Sequence, residues 1–289
     1  MLTMVRLSTV RTPVNKLEPN ADGAEYSFST IGVIKSSVQY HYEAPRQSVY
    51  AATGAFLLWS DPAYRAAAED LVGFDRVWLI WVFNLNKHQK WRSKVRVPVP
   101  AERDMYSVFA TRSPYRPNPI GISAVELKEI TPQGLQLGAC DLLDGTAVLD
   151  VKPYIPEVDA FPKSRAGWRD RIDKKTYSIN WSAEAEVMAQ FIAENGKLDL
   201  KNFAAVQLSA RPTDRSRKRL DPGNAANQWI LHCRTWNLHF EVVEESLQIN
   251  IDSISSNYSA DDLHLQAPDR YGDKDLHRAF LCRFPQKKS

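Results

Sequence analysis

Residues 111–121 read T-R-S-P-Y-R-P-N-P-I-G. Prolines, arginines, an asparagine and a glycine crowd one short connection between two apolar, β-forming stretches. Proline fixes φ and holds the residue before it extended. Pro114, Pro117 and Pro119 therefore preset the path of the chain and leave little ordering entropy to lose on binding. Arg112 and Arg116 offer planar donor forks that match a carboxylate or a phosphate. Asn118 adds an amide, and Gly121 lets the backbone approach another group closely. The density of stiff and hydrogen-bonding residues marks a ligand loop rather than a solvated turn.

Two other segments carry candidate chemistry. A-P-R-Q-S at residues 44–48 places Arg46, Gln47 and Ser48 where they could bond a polar ligand, although an exposed polar loop is the ordinary account of such a run. D-L-L-D-G-T-A-V-L-D-V-K-P-Y at residues 141–154 contains Asp144-Gly145, a strong two-residue turn signal. Turn chemistry explains Asp144 but not Asp141, which directly follows an apolar strand. His41 and His88 fall in loops. No Ser/His/Asp triad and no hydrolase-type carboxylate pair can be assembled from these residues. Cys140, Cys233 and Cys282 are dispersed, with no Cys-x-x-Cys or Cys/His cluster, which argues against zinc and against a disulfide framework and for a reducing compartment.

The elements that must position these residues are mostly short strands. Alternation predicts strands over residues 26–38, 95–99, 105–110 and 148–151, and a hairpin of 122–130 with 135–143 around Thr131-Pro132-Gln133-Gly134. The apolar run 77–83 reads as a strand buried on both faces. Ser60-Asp61-Pro62 starts a helix through residues 64–71 that stops at Gly73. This succession predicts a mainly β fold, with an antiparallel, closed or nearly closed sheet. No G-x-G-x-x-G or phosphate loop follows a strand, so a Rossmann nucleotide site is disfavoured. Residues 153–178 read as a linker or docking segment. Residues 182–194 read as a helix capped by Ser182, and 228–243 and 247–251 as strands. The chain has 289 residues, a net charge of +3 and a pI near 8.6, a mildly basic balance compatible with a nucleic-acid partner. No apolar segment is long enough to cross a bilayer, and the first residues lack the apolar run of a secretory signal.

The runs F-A-T-R-S-P-Y-R-P-N-P-I-G-I-S and D-L-L-D-G-T-A-V-L-D-V-K-P-Y-I-P, with the earlier G-V-I-K-S and A-P-R-Q, closely resemble the TrmO/TsaA-like (YaeB) family. These are S-adenosylmethionine-dependent tRNA N6-methyltransferases. The likeness covers residues 26 to about 160 well. The C-terminal part, with Leu220-Asp221-Pro222 and the stretch from Trp229 to Val243, is similar only loosely. Its Asp221-Pro222-Gly223-Asn224 stands where family members carry Asp-Pro-Arg-Pro, which removes an arginine contact there.

The resemblance implies a β-barrel N-domain over residues 26–160 and a smaller α+β C-terminal domain over 179–255. A linker at 161–178 and flexible ends at 1–25 and 256–289 complete the expected division. It implies a cytoplasmic homodimer that uses S-adenosylmethionine, a tRNA anticodon loop as partner, and neither metal nor membrane. The implied reaction methylates N6 of threonylcarbamoyladenosine, 3′ of the anticodon of threonine tRNA. Carried over by motif, the donor site draws on Gln47, Ser48, Val49, Tyr50, Lys87, His88, Arg112, Ile122, Gly138, Ala139, Cys140 and Asp141. Asp141 would orient the donor's amine or ribose, and Arg112 would meet its carboxylate. Arg116, Asn118 and Asp144 are assigned to the chemistry. The carbamoylated N6 carries a more acidic proton than plain adenosine, and Arg116 would favour its loss or grip the threonyl carboxylate. Replacing Arg116 by alanine should then spare donor binding and stop transfer. Tyr115 and Tyr154 are candidate stacking partners for the base. The basic runs Lys163, Arg165, Arg169, Arg171, Lys174, Lys175 and Arg211, Arg215, Arg217, Lys218, Arg219 are equally an RNA track or a solvated face. Two other readings remain: the same barrel methylating another RNA or a small molecule, and a non-catalytic module that binds the donor.

Overall fold

The computed structural model of the chain describes residues 25–45, 47–51, 53–86, 88–97, 103–172, 175–215 and 219–285. Strand β1 (Gly32–Lys35) pairs antiparallel with β2 (Gly54–Trp59). Helix α1 (Tyr64–Ala67) and a 3-10 turn at Glu69–Leu71 lead into β3 (Arg76–Val82). A small separate hairpin, β4 (Lys94–Arg96) with β5 (Met105–Ser107), precedes β6 (Ile120–Ile130), β7 (Gly134–Ala139) and β8 (Ala147–Pro153). Six of these strands close a barrel in the order β1-β2-β7-β6-β3-β8, every neighbouring pair antiparallel. The barrel is a mainly β body, as the strand pattern predicts. Alternation along each strand turns Ile34, Leu57, Val77, Leu79, Val125 and Leu135 into its interior, where all are fully buried. The hairpin turn forms where the sequence places it: Thr131 and Gly134 exchange backbone hydrogen bonds, and the Thr131 hydroxyl bonds both polar groups of Gly134.

After α2 (Pro156–Asp159) and a 3-10 segment at Gly167–Arg171, the chain enters a second body. It comprises β9 (Ser178–Trp181), α3 (Ala183–Gly196), α4 (Leu200–Leu208), β10 (Leu220–Pro222), β11 (Gln228–Cys233), β12 (Trp236–Val243), β13 (Gln248–Ser256) and α5 (Lys274–Arg283). The sheet order is β10-β11-β12-β13-β9, with β9 parallel to β13. One face of this sheet (Trp236, Leu238, Phe240) packs with Ile192, Phe203 and Phe280 of the helices into its own core. Ser182 caps α3 by accepting the Ala185 N–H, as expected.

Several sequence expectations are corrected. The first strand covers four residues rather than 26–38, because Ser36 leaves the ladder to bond Asp144 and Leu142. The run 77–83 is buried on one face only; Trp78 and Ile80 are half-exposed, since a closed barrel has a single interior. Residues 108–110 form a 3-10 turn closed by Thr111 N–H on Val108 C=O, not a strand. The helix at 64–71 breaks into a short α-helix and a 3-10 turn, ending at Gly73 with φ +92°. Asp61, rather than Ser60, supplies the capping oxygen, to Ala63 N–H. The segment 228–243 is two strands around a tight turn at Arg234 and Thr235. The largest correction concerns the C-terminal end. Residues 274–283 are helix α5, whose Phe280 and His277 are fully buried, so this part is not a loose tail. Its polar composition hid an amphipathic stripe that the second core needs. Residues 1–24 and 286–289 lie outside the described residues, as does Lys174. No described helix is long and apolar enough to cross a membrane.

Candidate functional site

The loop 111–119 closes one end of the barrel. It follows β5 and the 3-10 turn, and it runs into β6, whose pairing with β3 continues past Val82↔Ile120 through Phe83 N–H to Pro119 C=O, 2.8 Å. Its path is held from within. Thr111 Oγ1 donates to Val108 C=O at 2.8 Å and accepts from Ser113 N–H, and Arg116 N–H bonds Pro114 C=O. Arg116 Nη1 donates to the carbonyls of Thr111 (2.8 Å) and Val108 (3.2 Å), and its guanidinium stands over the Phe109 ring. A charged donor on two carbonyls is a strong brace. The other guanidinium nitrogens of Arg116 carry no recorded bond among the described residues. From outside, the Trp168 indole N–H bonds Ala110 C=O at 2.8 Å, and the ring stacks on Tyr106. The segment read as a linker or docking segment thus docks against the loop.

Arg112, exposed, reaches across to Gln47, and its Nη1 donates to the Gln47 side-chain oxygen. Ser48 Oγ donates to Ala124 C=O of β6 at 2.5 Å. The A-P-R-Q-S segment and the proline-rich loop are therefore neighbours, as expected. Val49 (78% exposed) and Tyr50 sit on the 3-10 turn Ser48–Tyr50 at the surface. Arg46 and Lys87 lie outside the described residues; His88 is exposed.

Asp141 lies beneath. Its carboxyl is largely buried, hydrogen-bonded to Ser123, and within the field of Arg112. Burial raises its pKa; the Ser123 hydroxyl and Arg112 pull the other way. Oδ1 is inaccessible to solvent and has no hydrogen-bond partner. An orphaned buried carboxylate oxygen is costly unless a ligand completes it. Ser123 in turn accepts the Trp81 indole N–H at 3.1 Å. Ser123 and Trp81 were not singled out from the sequence. A signal existed: β6 alternates Val125 and Leu127 inward, and position 123 puts a hydroxyl where that alternation asks for an apolar side chain.

The remaining residues divide. Ala139 and Cys140 lead directly to Asp141. Cys140 bonds Thr53 through its backbone, and burial pushes its thiol up to about 12, so the sulfur is unreactive. Glu126 covers Gly138 closely enough that a Cβ there would meet its carboxylate at 2.3 Å. Ile122 is exposed on the outer face of β6. Asn118 is exposed, with its carbonyl bonded to Ile120 N–H. Asp144 is committed to the turn: its carboxylate accepts Ser36 N–H at 3.1 Å while Gly145 takes φ +76°. Tyr115 lies under the Arg92 guanidinium, 4.3 Å from its centroid. Tyr154 is not brought to the group. It bonds Arg76 at the opposite end of β3 and packs on Trp78, a strand length of about 20 Å from Phe83. A position late in a conserved-looking run placed it beside Asp141 in sequence, but β8 carries it to the far rim.

The arrangement joins a cation, Arg112, to an incompletely satisfied carboxylate, Asp141, across a preset loop. It suits a small molecule bearing both an acid and hydrogen-bond donors, and it holds no nucleophile. Comparison with known proteins agrees. Residues 33–160 match the family described as tRNA-methyltransferase O N-terminal domain. The tRNA (adenine(37)-N6)-methyltransferase of Escherichia coli is 31% identical over 232 residues, covering 78% of this chain and 97% of that protein. A Pseudomonas aeruginosa relative with the provisional name S-adenosylmethionine-dependent methyltransferase is 36% identical over 201 residues, 67% of this chain and 82% of its own length. A crystal structure of TrmO from Pseudomonas aeruginosa superposes with a TM-score of 0.57 and 27% identity, covering 81% of this chain and 99% of that one.

Proposed function

The chain belongs to the tRNA-methyltransferase O family, and from that premise we propose that it transfers a methyl group from S-adenosylmethionine to N6 of an adenosine beside the tRNA anticodon. Its substrate is the threonylcarbamoylated adenosine of threonine tRNA. The observation that carries this reading is the unpartnered Oδ1 of Asp141 lying within the field of Arg112 at the mouth of the barrel. These residues fit the donor: a buried carboxylate oxygen awaits an amine or a ribose hydroxyl, and an exposed guanidinium awaits a carboxylate.

When bound, S-adenosylmethionine supplies an electrophilic sulfonium methyl. The chain's part is binding, orientation and exclusion of water. Asp141 and Arg112 orient the donor. Gln47, Ser48, Val49 and Tyr50 wall the site on one side, and Gly138, Ala139 and Cys140 border it through backbone. Arg116 braces the loop with one nitrogen and keeps others for the carbamoylated base, where positive charge favours loss of the N6 proton. Asn118 and Tyr115 stand exposed or half-exposed on the same loop. Asp144 acts through the turn it shapes.

The hairpin β4/β5 adds cations for the RNA. Lys94 and Arg96 point outward beside Arg92, and none of the three has a carboxylate within ion-pair distance among the described residues. The second basic run is partly spent: Arg211 pairs with Asp214 and Arg219 stands over Tyr42. Exposed Val49, Tyr50, Phe109 and Ile122 give the rim an apolar surface that a second copy would cover in a homodimer. A cytoplasmic location suits a tRNA substrate. The test is transfer of labelled methyl from S-adenosylmethionine to threonine tRNA with and without the threonylcarbamoyl group. Label is expected only in the modified RNA, at the adenosine next to the anticodon. Equal labelling of both, or labelling of neither while donor binds, would reject the substrate.

A further inference from the structure

Glu43 is a buried carboxylate, 4% exposed, that the donor-site argument does not use. It meets Arg234 of the second body through two parallel bonds, Nε to Oε1 at 2.6 Å and Nη2 to Oε2 at 2.9 Å. Oε2 also accepts the backbone N–H groups of Gln39 (3.0 Å) and Tyr40 (3.2 Å). The carboxylate is thus fully engaged, and it ties a loop of the barrel domain to the β11–β12 turn.

The rest of that loop is gripped by the same body. The Arg234 guanidinium lies over Tyr40 at 4.8 Å, Tyr40 stacks on Tyr42 at 5.3 Å and 8°, and Arg219 covers Tyr42 at 3.6 Å. Two tyrosines are therefore held between two arginines. Gln207 Nε2 of α4 donates to Tyr42 C=O at 2.8 Å, and Phe203 meets the Tyr42 ring edge-on. Arg234 itself takes φ +53°, a left-handed conformation that side-chain-bearing residues rarely adopt and that surrounding contacts must impose.

Three residues after Glu43, past the buried Pro45, the chain reaches Gln47, which takes the Arg112 hydrogen bond, and then Ser48, bonded to β6. The segment 39–50 is clamped at one end by the second body and at the other forms a wall of the donor site. We propose that Glu43 is a positioning residue: its pair with Arg234 sets the donor-binding wall 47–50, so that donor affinity depends on the docking of the C-terminal body. This rests on the donor reading above. The coupling needs no movement of the barrel, because the short span containing a proline leaves the wall little freedom once residue 43 is fixed.

The experiment compares the full-length chain with Glu43→Gln and Arg234→Lys. Calorimetric titration gives donor affinity, and steady-state transfer to tRNA gives KM and kcat. Glu43→Gln keeps an acceptor for the Gln39 and Tyr40 N–H groups but removes the charge. Its donor Kd and KM should rise about tenfold while kcat at saturating donor stays within about twofold. Arg234→Lys keeps the charge without the fork and should give a smaller rise, about threefold, which supplies the comparison should Glu43→Gln not fold. Variants that melt at lower temperature yet bind donor with the parent's Kd would overturn the proposal and leave Glu43 a purely structural residue. A parent chain that binds no donor would instead sink the functional reading, and this inference with it.

Discussion

Trp81 and Gly121 face each other across the β3–β6 ladder, and the indole of Trp81 occupies the space that a side chain at 121 would fill: a Cβ there would lie 2.4 Å from the ring. The glycine at the end of the proline-rich loop thus makes room for a tryptophan of the protein itself. The same indole donates to Ser123, which holds Asp141. Loop, barrel strand and buried acid are one packed unit.

Gly121→Ala must therefore displace Trp81. Overpacking of this kind costs about 1–3 kcal/mol, and here it also removes the Trp81–Ser123 bond. Denaturant unfolding should show that loss, and donor affinity should fall with it. A variant of unchanged stability and affinity would mean that the indole relaxes freely.

Asp141 offers a test in pH. Its folded pKa is raised by burial, so the folded chain holds that proton more tightly than the unfolded one. The contribution to stability is present below the unfolded carboxylate value of about 3.9 and is lost as pH rises through the folded value. At neutral pH the buried charge opposes folding. Asp141→Asn should raise the Tm near neutral pH, the gain shrinking toward about pH 4, while donor binding weakens. A lower Tm at neutral pH would show that Ser123 and Arg112 more than offset the burial.

Arg116 braces Val108 and Thr111, so alanine at this position should not leave donor binding untouched, as the sequence alone suggested. Hydrogen bonds from a charged group contribute about 1.5–3 kcal/mol, somewhat less here because the side chain is half-exposed. Arg116→Ala should lose stability of that order, weaken the donor and stop transfer together. Full donor affinity with no transfer would restore a purely chemical role.

Lys94 and Arg96 should touch RNA phosphate. Each such contact adds about 0.9 to the slope of log affinity against log salt. The double variant Lys94→Glu, Arg96→Glu should therefore flatten the slope for tRNA binding by about two. An unchanged slope would place the RNA elsewhere.

The sequence alone determined the barrel strands 120–130 and 134–139 with their turn, the capped helix α3, and the preset ligand loop. These rest on local rules: alternation, proline stiffness, capping and turn residues. It also made Gln47, Arg112 and Asp141 candidates, by residue type and by family likeness. Tertiary structure decided the rest. Only barrel closure could show that Tyr154 rides to the far rim, that Ser123 and Trp81 support Asp141, and that Arg116 is partly spent on the loop's own carbonyls. Helix α5 was invisible because its pattern gains meaning only against the core of Trp236 and Phe203. Contacts between residues distant in sequence, such as Glu43 with Arg234, leave no periodic trace in the chain. They arise from the meeting of two surfaces, each specified by a different stretch of residues.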